Sequence, residues 1–305
     1  MASLDQFQGC LLGLSLGDAL GAPYEGGVLE RLLWRVIGKT SKGEMRWTDD
    51  TQMTIDLTES YLARGDFDAA DLAARFASSY RWDRGYGPGT AKVLKQITRG
   101  ADWQLANRSV YPGGSFGNGA AMRAPILGLI KANRMEEIAD IARQTAIVTH
   151  AHLLAIEGAV FIATTTALAT QERTPSEILN LTAACCSEDA FTSRLAIAQS
   201  WLESDKTVTT SEIAQHLGRG VAADKSCVTA VYLALRHFNQ PFLEMLRVIT
   251  KLGGDADTIG AMAGAIWGAA NGATKLPAVS LLKLEQRERL TNLGTQLYQQ
   301  VIASD

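Results

Sequence analysis

Apolar residues recur at helical spacing along most of the chain. Side chains three and four residues apart share one face of an α-helix, so this period is typical of amphipathic helices. We find no run in which β-branched and polar residues alternate, as they do in half-buried strands. The pattern predicts an all-α fold with helices over residues 7–20, 51–63, 71–79, 135–148, 153–169, 175–186, 191–202, 211–217, 227–238, 242–252, 258–270 and 279–301.

The helical period fails in two long, polar and glycine-rich stretches, residues 21–47 and 82–118. Loops of this kind on a rigid helical scaffold often carry functional residues. The other connections are short, and no Pro/Ser-rich linker or charge run divides the chain. We therefore predict a single compact orthogonal multi-helix domain over residues 1–305.

Composition and charge narrow the class of partner. The 47% of hydrophobic residues supply a core, and the net charge of −3 comes from 29 basic and 32 acidic residues without a block of either sign. No signal peptide is evident, and no stretch approaches the roughly 20 apolar residues that span a bilayer. We expect a cytoplasmic monomer that binds neither nucleic acid nor membranes and acts on a small or modified partner.

Glycines recur every fourth position at Gly9, Gly13, Gly17 and Gly21. Each glycine costs a helix about 1 kcal/mol relative to alanine, so a stripe of them needs a compensating role. A helix face without side chains allows another backbone to approach closely. The stripe predicts a tightly packed core helix.

The first dense acidic motif is Trp47-Thr48-Asp49-Asp50-Thr51, which precedes an amphipathic run. An ordinary helix N-cap is the simplest interpretation, because Asp and Thr accept hydrogen bonds from first-turn amides. A cap needs only one such side chain, however. Adjacent carboxylates repel one another unless a cation lies between them, and hard divalent cations prefer oxygen ligands.

The second motif, residues 253–258, repeats this chemistry at another predicted helix start: Gly253 and Gly254 precede Asp255, Asp257 and Thr258. Its Asp-Ala-Asp-Thr order superficially resembles the Asp-x-Asp-x-Thr motif of aspartyl-phosphate enzymes, but those enzymes place the motif after a buried strand. Residues 246–252 have a helical pattern instead. Together, the motifs predict a site for two Mg²⁺ or Mn²⁺ ions, which can clamp a diol and activate water.

Two glycine-rich loops, residues 84–89 and 113–119, lie outside the predicted helices. Successive backbone amides in such a loop, with a helix N-terminus behind them, can bind a diphosphate. His150 opens the predicted helix over residues 153–169, where a capping or core imidazole is the simpler interpretation.

These motifs resemble the ADP-ribosylglycohydrolase family, whose members have all-α folds, a dinuclear magnesium centre and motifs of the forms WTDDT and GGDxDT. The similarity covers nearly the whole chain, including residues 9–18 and 21–25. Within the family, residues 84–87, 114–119, 193–194 and 220–223 most resemble the branch that removes ADP-ribose from serine and degrades poly(ADP-ribose).

The resemblance implies roles for individual residues. The metal ligands would be Thr48, Asp49, Asp50, Asp255, Asp257 and Thr258, and Glu25 would be a mobile carboxylate that gates the metals. Glu25, Asp49 and Asp257 are the candidates for catalytic proton transfer. Substrate binding would involve Gly85, Gly87, Gly114, Ser115, Phe116, Gly117, Asn118 and His150.

The acceptor of the ADP-ribose stays open. We expect hydrolysis of O-linked serine ADP-ribose, poly(ADP-ribose) or O-acetyl-ADP-ribose, with ADP-ribosylated proteins or polymer as partners. Arginine-type members also show GGDADT, as this chain does with Ala256, so hydrolysis of N-linked ADP-ribosyl-arginine is an alternative. A non-catalytic ADP-ribose-binding module is a further alternative, but such a module would be expected to have lost one of the four aspartates.

Overall fold

A computed structural model describes residues 2–204 and 206–304. Within these residues the regular structure is helical, and only isolated bridges pair extended backbone, so the all-α prediction is confirmed. Short 3₁₀ helices lie at Ala22–Tyr24, Trp82–Arg84, Asn118–Ala120, Met135–Glu137 and Ala273–Lys275. The α-helices are α1 (Leu4–Gly21), α2 (Val28–Ile37), α3 (Asp49–Arg64), α4 (Ala69–Ser79), α5 (Pro88–Thr98), α6 (Trp103–Val110), α7 (Pro125–Ile130), α8 (Ile138–Ala146), α9 (Leu153–Ala169), α10 (Pro175–Ala183), α11 (Asp189–Leu202), α12 (Thr210–His216), α13 (Ala223–Arg236), α14 (Phe242–Leu252), α15 (Ala256–Asn271), α16 (Ala278–Leu281) and α17 (Arg287–Ser304).

Helices α1 and α15 form an antiparallel pair at the centre of the molecule. Gly13 lies against Gly264, and Gly17 lies against Gly260. A Cβ atom at Gly13 would be 2.3 Å from the carbonyl oxygen of Gly264, and one at Gly17 would be 2.0 Å from that of Gly260. The two backbones are therefore in direct contact, which confirms the close approach predicted from the glycine stripe.

Apolar helices surround this pair. Helices α9 and α13 pack against α15, and α9 is buried on nearly every side, as its almost uniformly apolar sequence requires. Edge-to-face aromatic contacts join neighbouring helices, such as Phe242 with Trp267 at a centroid distance of 5.3 Å. Among the described residues, no helix combines the length and apolar character needed to cross a membrane.

The two stretches predicted to be non-helical contain helices, so that prediction is wrong in part. Helix α2 lies in the first stretch, and α5 and α6 lie in the second. Pro88 occupies the first turn of α5, and the carboxylate of Asp102 caps α6 by accepting hydrogen bonds from the amides of Gln104 and Leu105. Helices therefore begin at these two positions although the surrounding glycines disfavour helical structure.

The prediction of one helix over residues 279–301 is also wrong, because α16 and α17 are separate. Between them the Glu285 amide donates a 3.0 Å hydrogen bond to the carbonyl of Met45, and Gln286 has a φ of 53°. Backbone hydrogen bonds to Met45, in the segment before α3, therefore take the place of the helical hydrogen bonds that would join α16 to α17. They also anchor that segment, which leads directly into the first acidic motif.

Candidate active site

The two acidic motifs and the second glycine-rich loop meet around one cleft with a volume of about 310 Å³. The N-termini of α3 and α15 form one side of the cleft, and the loop before α7 forms another. The predicted site residues that line it are Glu25, Asp49, Asp50, Gly85, Gly87, Ser115, Gly117, Asn118, His150, Asp255, Asp257 and Thr258.

The first motif begins helix α3, as the capping interpretation predicts. Thr48 is the N-cap residue, and its hydroxyl accepts a 3.3 Å hydrogen bond from the Asp50 amide. The same oxygen lies 3.3 Å from Asp50 Oδ2. Asp49 and Asp50 occupy the first helical turn, where the helix dipole favours negative charge. Capping and carboxylate clustering therefore coexist here.

Asp18 contacts the first motif, although it belongs to neither motif and is not among the predicted site residues. This buried carboxylate lies near the end of α1 and accepts hydrogen bonds from the Thr48 amide at 3.0 Å and the Thr51 amide at 3.1 Å. The Thr51 hydroxyl donates a third, at 2.6 Å. Burial raises the pKa of Asp18 to about 6 against the opposing effect of these bonds. In the sequence it stands out only as an acidic residue in the largely apolar second half of α1, at the end of the stretch 9–18 that shares the family resemblance.

The second motif depends on two glycines with left-handed backbone. Gly253 and Gly254 have φ values of 63° and 78°, a region that L side chains rarely adopt. A Cβ at Gly254 would lie 2.1 Å from the carbonyl oxygen of Arg219. That carbonyl accepts a 2.9 Å hydrogen bond from the Asp255 amide. The turn thus ends α14 and aims the carboxylates of Asp255 and Asp257 into the cleft.

Side-chain hydrogen bonds connect the two motifs across the cleft floor. The Thr258 hydroxyl lies 3.2 Å from Asp50 Oδ1 and 3.3 Å from Asp50 Oδ2. Asn118 from the glycine-rich loop donates through Nδ2 to Asp255 Oδ2 and to the Ser226 hydroxyl. Residues from four distant parts of the sequence are therefore held in one polar network.

The network contains a group of carboxylates that fits a divalent cation. Oxygen atoms of Glu25, Asp255 and Asp257 all lie within 4.8 Å of one another. Asp257 Oδ1 is buried and has no hydrogen-bond partner in the described part of the chain. A buried carboxylate oxygen without a partner is costly, and a hard cation supplies the missing interaction. The cluster is therefore able to hold metal.

The electrostatics of the cluster agree with this interpretation. Burial, and then the charges of neighbouring carboxylates, raise the pKa of Asp49, Asp50 and Asp257 well above the usual range. Burial and the charge of Glu25 raise the pKa of Asp255 to about 7. Without a positive charge among them, these carboxyl groups would therefore keep their protons to a higher pH than exposed aspartates do.

The glycine-rich loop is fixed by backbone contacts on both sides. The amide of Asn118 donates to the carbonyl of Val221 at 2.9 Å, and the amide of Ala223 donates to that of Phe116 at 3.1 Å. Gly114 has a φ of 80°, and a Cβ there would lie 2.3 Å from the amide nitrogen of His152. This loop can therefore present backbone amides to a ligand from a rigid frame.

His150 is buried beneath this loop. Its Nδ1 lies 2.8 Å from the hydroxyl of Thr149, and a Cβ at Gly119 would lie 2.5 Å from its Cε1. Burial, and then the charge of the buried Arg123, lower the pKa of His150 to about 3. The imidazole is therefore neutral, and it supports the loop while facing the cleft.

Three predicted site residues do not line the cleft: Thr48, Gly114 and Phe116. Thr48 caps the helix turn that carries Asp50, and Gly114 directly precedes Ser115, so both lie next to residues that line the cleft. Phe116 is half-exposed and makes an edge-to-face contact with His152. Seven residues that were not predicted do line it: Pro88, Gly89, Thr90, Tyr111, Gly119, Met122 and Val221. A Cβ at Gly89 would lie 2.2 Å from the Tyr111 hydroxyl, which explains a glycine there.

Glu25 lies in the connection between α1 and α2. The next amide, that of Gly26, donates a 3.1 Å hydrogen bond to the carbonyl of Gly254 and so links the connection to the second motif. Helix α2, which follows, has no buried residue. A segment with so few packing contacts has little local stability, which suits a carboxylate that moves.

The fold and the cleft define an all-α protein with a carboxylate-rich centre fitted to divalent cations. The chain belongs to the ADP-ribosylglycohydrolase family, which it matches over residues 1–305. This confirms the family resemblance and the prediction of a hydrolase that acts on ADP-ribosyl bonds.

Relatives and solved structures agree with the family. The chain is similar to ADP-ribosylhydrolase ARH3 of Bos taurus, at 35% identity over 90% of this chain and 87% of the relative, and of Homo sapiens, at 33% over 90% and 88%. ADP-ribosylarginine hydrolase Tri1 of Serratia proteamaculans is 26% identical over 97% and 80%. A solved structure described as an ADP-ribosylglycohydrolase-related protein complex superposes with a TM-score of 0.71, at 27% identity over 98% of both chains.

Proposed function

We propose that this protein is a metal-dependent hydrolase that cleaves the glycosidic bond between ADP-ribose and an O-linked acceptor, such as serine, another ADP-ribose unit or an acetyl group. One observation carries the proposal: carboxylates from two helix N-termini converge on the cleft, and a buried Asp257 oxygen there has no hydrogen-bond partner among the described residues. Family membership and this donor set point to the same chemistry.

The donor set fits two Mg²⁺ ions, with Mn²⁺ as a substitute. Thr48, Asp49, Asp50, Asp255, Asp257 and Thr258 would hold them, because hydroxyl and carboxylate oxygens are the ligands these ions prefer. When bound, the metals supply positive charge that polarises substrate oxygens and lowers the pKa of water.

The remaining residues of the cleft would position the substrate. Amides of the fixed loop at Ser115 and Gly117 would bind the diphosphate and adenosine portion, with Gly114, Phe116 and Asn118 shaping that loop. Gly85 lies against the first motif, since a Cβ there would be 3.7 Å from Asp49 Oδ1. With no side chain, Gly85 and Gly87 leave room for the reacting ribose.

Glycoside hydrolysis requires one group to protonate the leaving oxygen and another to take a proton from the attacking water. Glu25, Asp49 and Asp257 are our candidates because all three line the cleft and lie among the clustered carboxylates. We expect Asp49→Ala and Asp257→Ala to lose most hydrolysis while the helical fold is retained. Wild-type turnover in either variant would contradict these roles.

The choice of acceptor rests on sequence similarity. Residues 84–87 and 114–119 resemble the branch that acts on serine, and the relative named for arginine hydrolysis is 26% identical, against 35% for the Bos taurus protein. Ala256 in the second motif is the observation that favours arginine as a second candidate, because arginine-type members share GGDADT.

Two matched peptides test the proposal, one ADP-ribosylated on serine and the other on arginine. Each is mixed with the purified protein and Mg²⁺, and release of ADP-ribose is followed by chromatography, with Asp257→Ala as the control. We expect release from the serine peptide. Release from arginine alone would transfer the proposal to the second candidate, and ADP-ribose binding without cleavage of either peptide would support a binding module instead.

A further inference from the structure

We infer that Asp18 is a positioning residue that fixes the distance between the two metal-binding motifs, an inference that rests on the proposed metal site. Asp18 is not proposed as a ligand, because it does not line the cleft and both of its carboxylate oxygens already accept hydrogen bonds from the start of α3. Its effect on metal binding would pass through α1, the helix that contacts both motifs. Three features of the structure carry this inference.

The first feature is the way in which Asp18 holds the start of α3. Both carboxylate oxygens lie 3.0 Å from the Thr48 amide, and Oδ2 also accepts from the amide and hydroxyl of Thr51. The helix's own cap is weaker, since the Thr48 hydroxyl is 3.3 Å from the Asp50 amide. A side chain from α1 therefore supplies the shorter bonds to this helix start and orients the residues that follow.

The second feature is the contact between the same end of α1 and the other motif. A Cβ at Gly21 would lie 2.3 Å from the carbonyl oxygen of Ala256 and 2.7 Å from the Cα of Asp257. The backbone of α1 thus touches the backbone that carries the second pair of carboxylates. Asp18 lies three residues before Gly21, so a single turn of α1 contacts both motifs.

The third feature is that, among the described residues, the direct hydrogen bonds between the two motifs are long. The side-chain hydrogen bonds that we find between their described ligands join Thr258 to Asp50 at 3.2 and 3.3 Å. Like-charged carboxylates on the two sides repel each other and offer no attraction that could set their separation. The rigid turn of α1 is therefore the element that sets it.

A carboxylate is the side chain suited to this position, because each of its hydrogen-bond partners is a donor. An ionised carboxylate only accepts hydrogen bonds, and a helix N-terminus favours its negative charge. In Asp18→Asn the amide group would direct N–H toward the amide of Thr48 or Thr51. That helix start would shift, and the carboxylates of Asp49 and Asp50 would shift with it.

The test measures Mn²⁺ binding by calorimetry, together with the thermal midpoint and helical circular dichroism of each variant. We expect Asp18→Asn to weaken Mn²⁺ binding by about 10- to 100-fold, the usual range for partners that orient metal ligands. Thr51→Val, which removes the 2.6 Å bond and keeps the carboxylate, should weaken it in the same direction. If Asp18→Asn fails to fold, Thr51→Val decides the question.

Asp56→Asn is the matched control. Asp56 is another buried carboxylate of the α3 region, bonded to Gln52 and Ser79 and absent from the cleft. It should leave Mn²⁺ affinity within about twofold of wild type, since it orients no ligand. If Asp18→Asn and Thr51→Val fold and bind Mn²⁺ with wild-type affinity, the inference about Asp18 is overturned but the proposed metal site is not. An equal loss of Mn²⁺ affinity in Asp56→Asn would have the same consequence. A wild-type protein that binds no Mn²⁺ would overturn the proposed metal site as well.

Discussion

Substitution of Gly13 by alanine tests how closely α1 and α15 pack. The new Cβ would lie 2.3 Å from the carbonyl oxygen of Gly264 and 3.1 Å from its carbonyl carbon. Carbon and carbonyl oxygen normally stay about 3.3 Å apart, so the helices would have to separate by about 1 Å. Because the obstructing atoms are backbone, no side-chain rotation can relieve the contact.

The expected cost follows from two opposing effects. Overpacking in a core costs about 1–3 kcal/mol, and this contact belongs at the upper end because both sides are backbone. Alanine recovers about 1 kcal/mol of helix propensity relative to glycine. The free energy of unfolding of Gly13→Ala should therefore fall by about 2 kcal/mol. With a urea slope of about 3 kcal/mol/M, the unfolding midpoint shifts down by about 0.7 M.

Urea unfolding followed by circular dichroism measures this shift, with Gly294→Ala in α17 as the matched control. A Cβ at Gly294 would be 3.0 Å from the Cα of Gln8, so a movement of a few tenths of an ångström accommodates it. Helix propensity alone predicts that both variants gain stability. A Gly13→Ala protein as stable as Gly294→Ala would refute the packing argument.

Three further predictions concern buried charge, pH and metal. Glu285→Gln leaves the guanidinium of Arg84, which is 3% exposed, without the carboxylate that it contacts through two bonds of 2.7 Å, and should cost about 3 kcal/mol or more in urea unfolding. An unchanged midpoint would show that the pair is not important for stability. Burial lowers the pKa of His150 to about 3, below the unfolded value of about 6.5, so its contribution to stability is present above pH 6.5 and is lost as the pH falls toward 3. His150→Gln should therefore lose less stability than wild type between pH 7 and pH 5, and identical losses would contradict this. Mg²⁺ at 100 times its Kd should stabilise wild type by about 2.7 kcal/mol in thermal unfolding and Asp257→Asn by much less, and equal stabilisation would remove Asp257 from the ligand set.

Helices with a sustained pattern were predictable from the sequence. Residues 153–169 and 242–252 coincide with α9 and α14, because a nearly uniform apolar run spans α9 and apolar residues at helical spacing span α14. The failures lie where tertiary contacts decide the local conformation. The backbone hydrogen bonds of Met45 to the segment between α16 and α17 join residues about 240 positions apart, and no local pattern reports such a pairing.

The candidate site was predictable where its residues form dense motifs. The two Asp-Thr clusters indicated metal ligation by their composition, and the structure brings them together at one cleft. Asp18 differs because its role depends on the amides of Thr48 and Thr51, which become its neighbours only in the folded protein. Met122 and Val221, which precede α7 and α13, also line the cleft, and their residue types are those of ordinary core residues.

The contact between α1 and α15 also orders events during translation. Asp50 and Thr258, which share a hydrogen bond, are 208 residues apart. At roughly 5–20 residues per second, the ribosome delivers the second motif roughly 10–40 s after the first. During that interval the nascent α1 lacks α15, the helix that packs on its glycine face. Asp50 likewise lacks Thr258, its hydrogen-bond partner in α15. We therefore expect catalytic competence to arise late in synthesis, only after α15 has emerged.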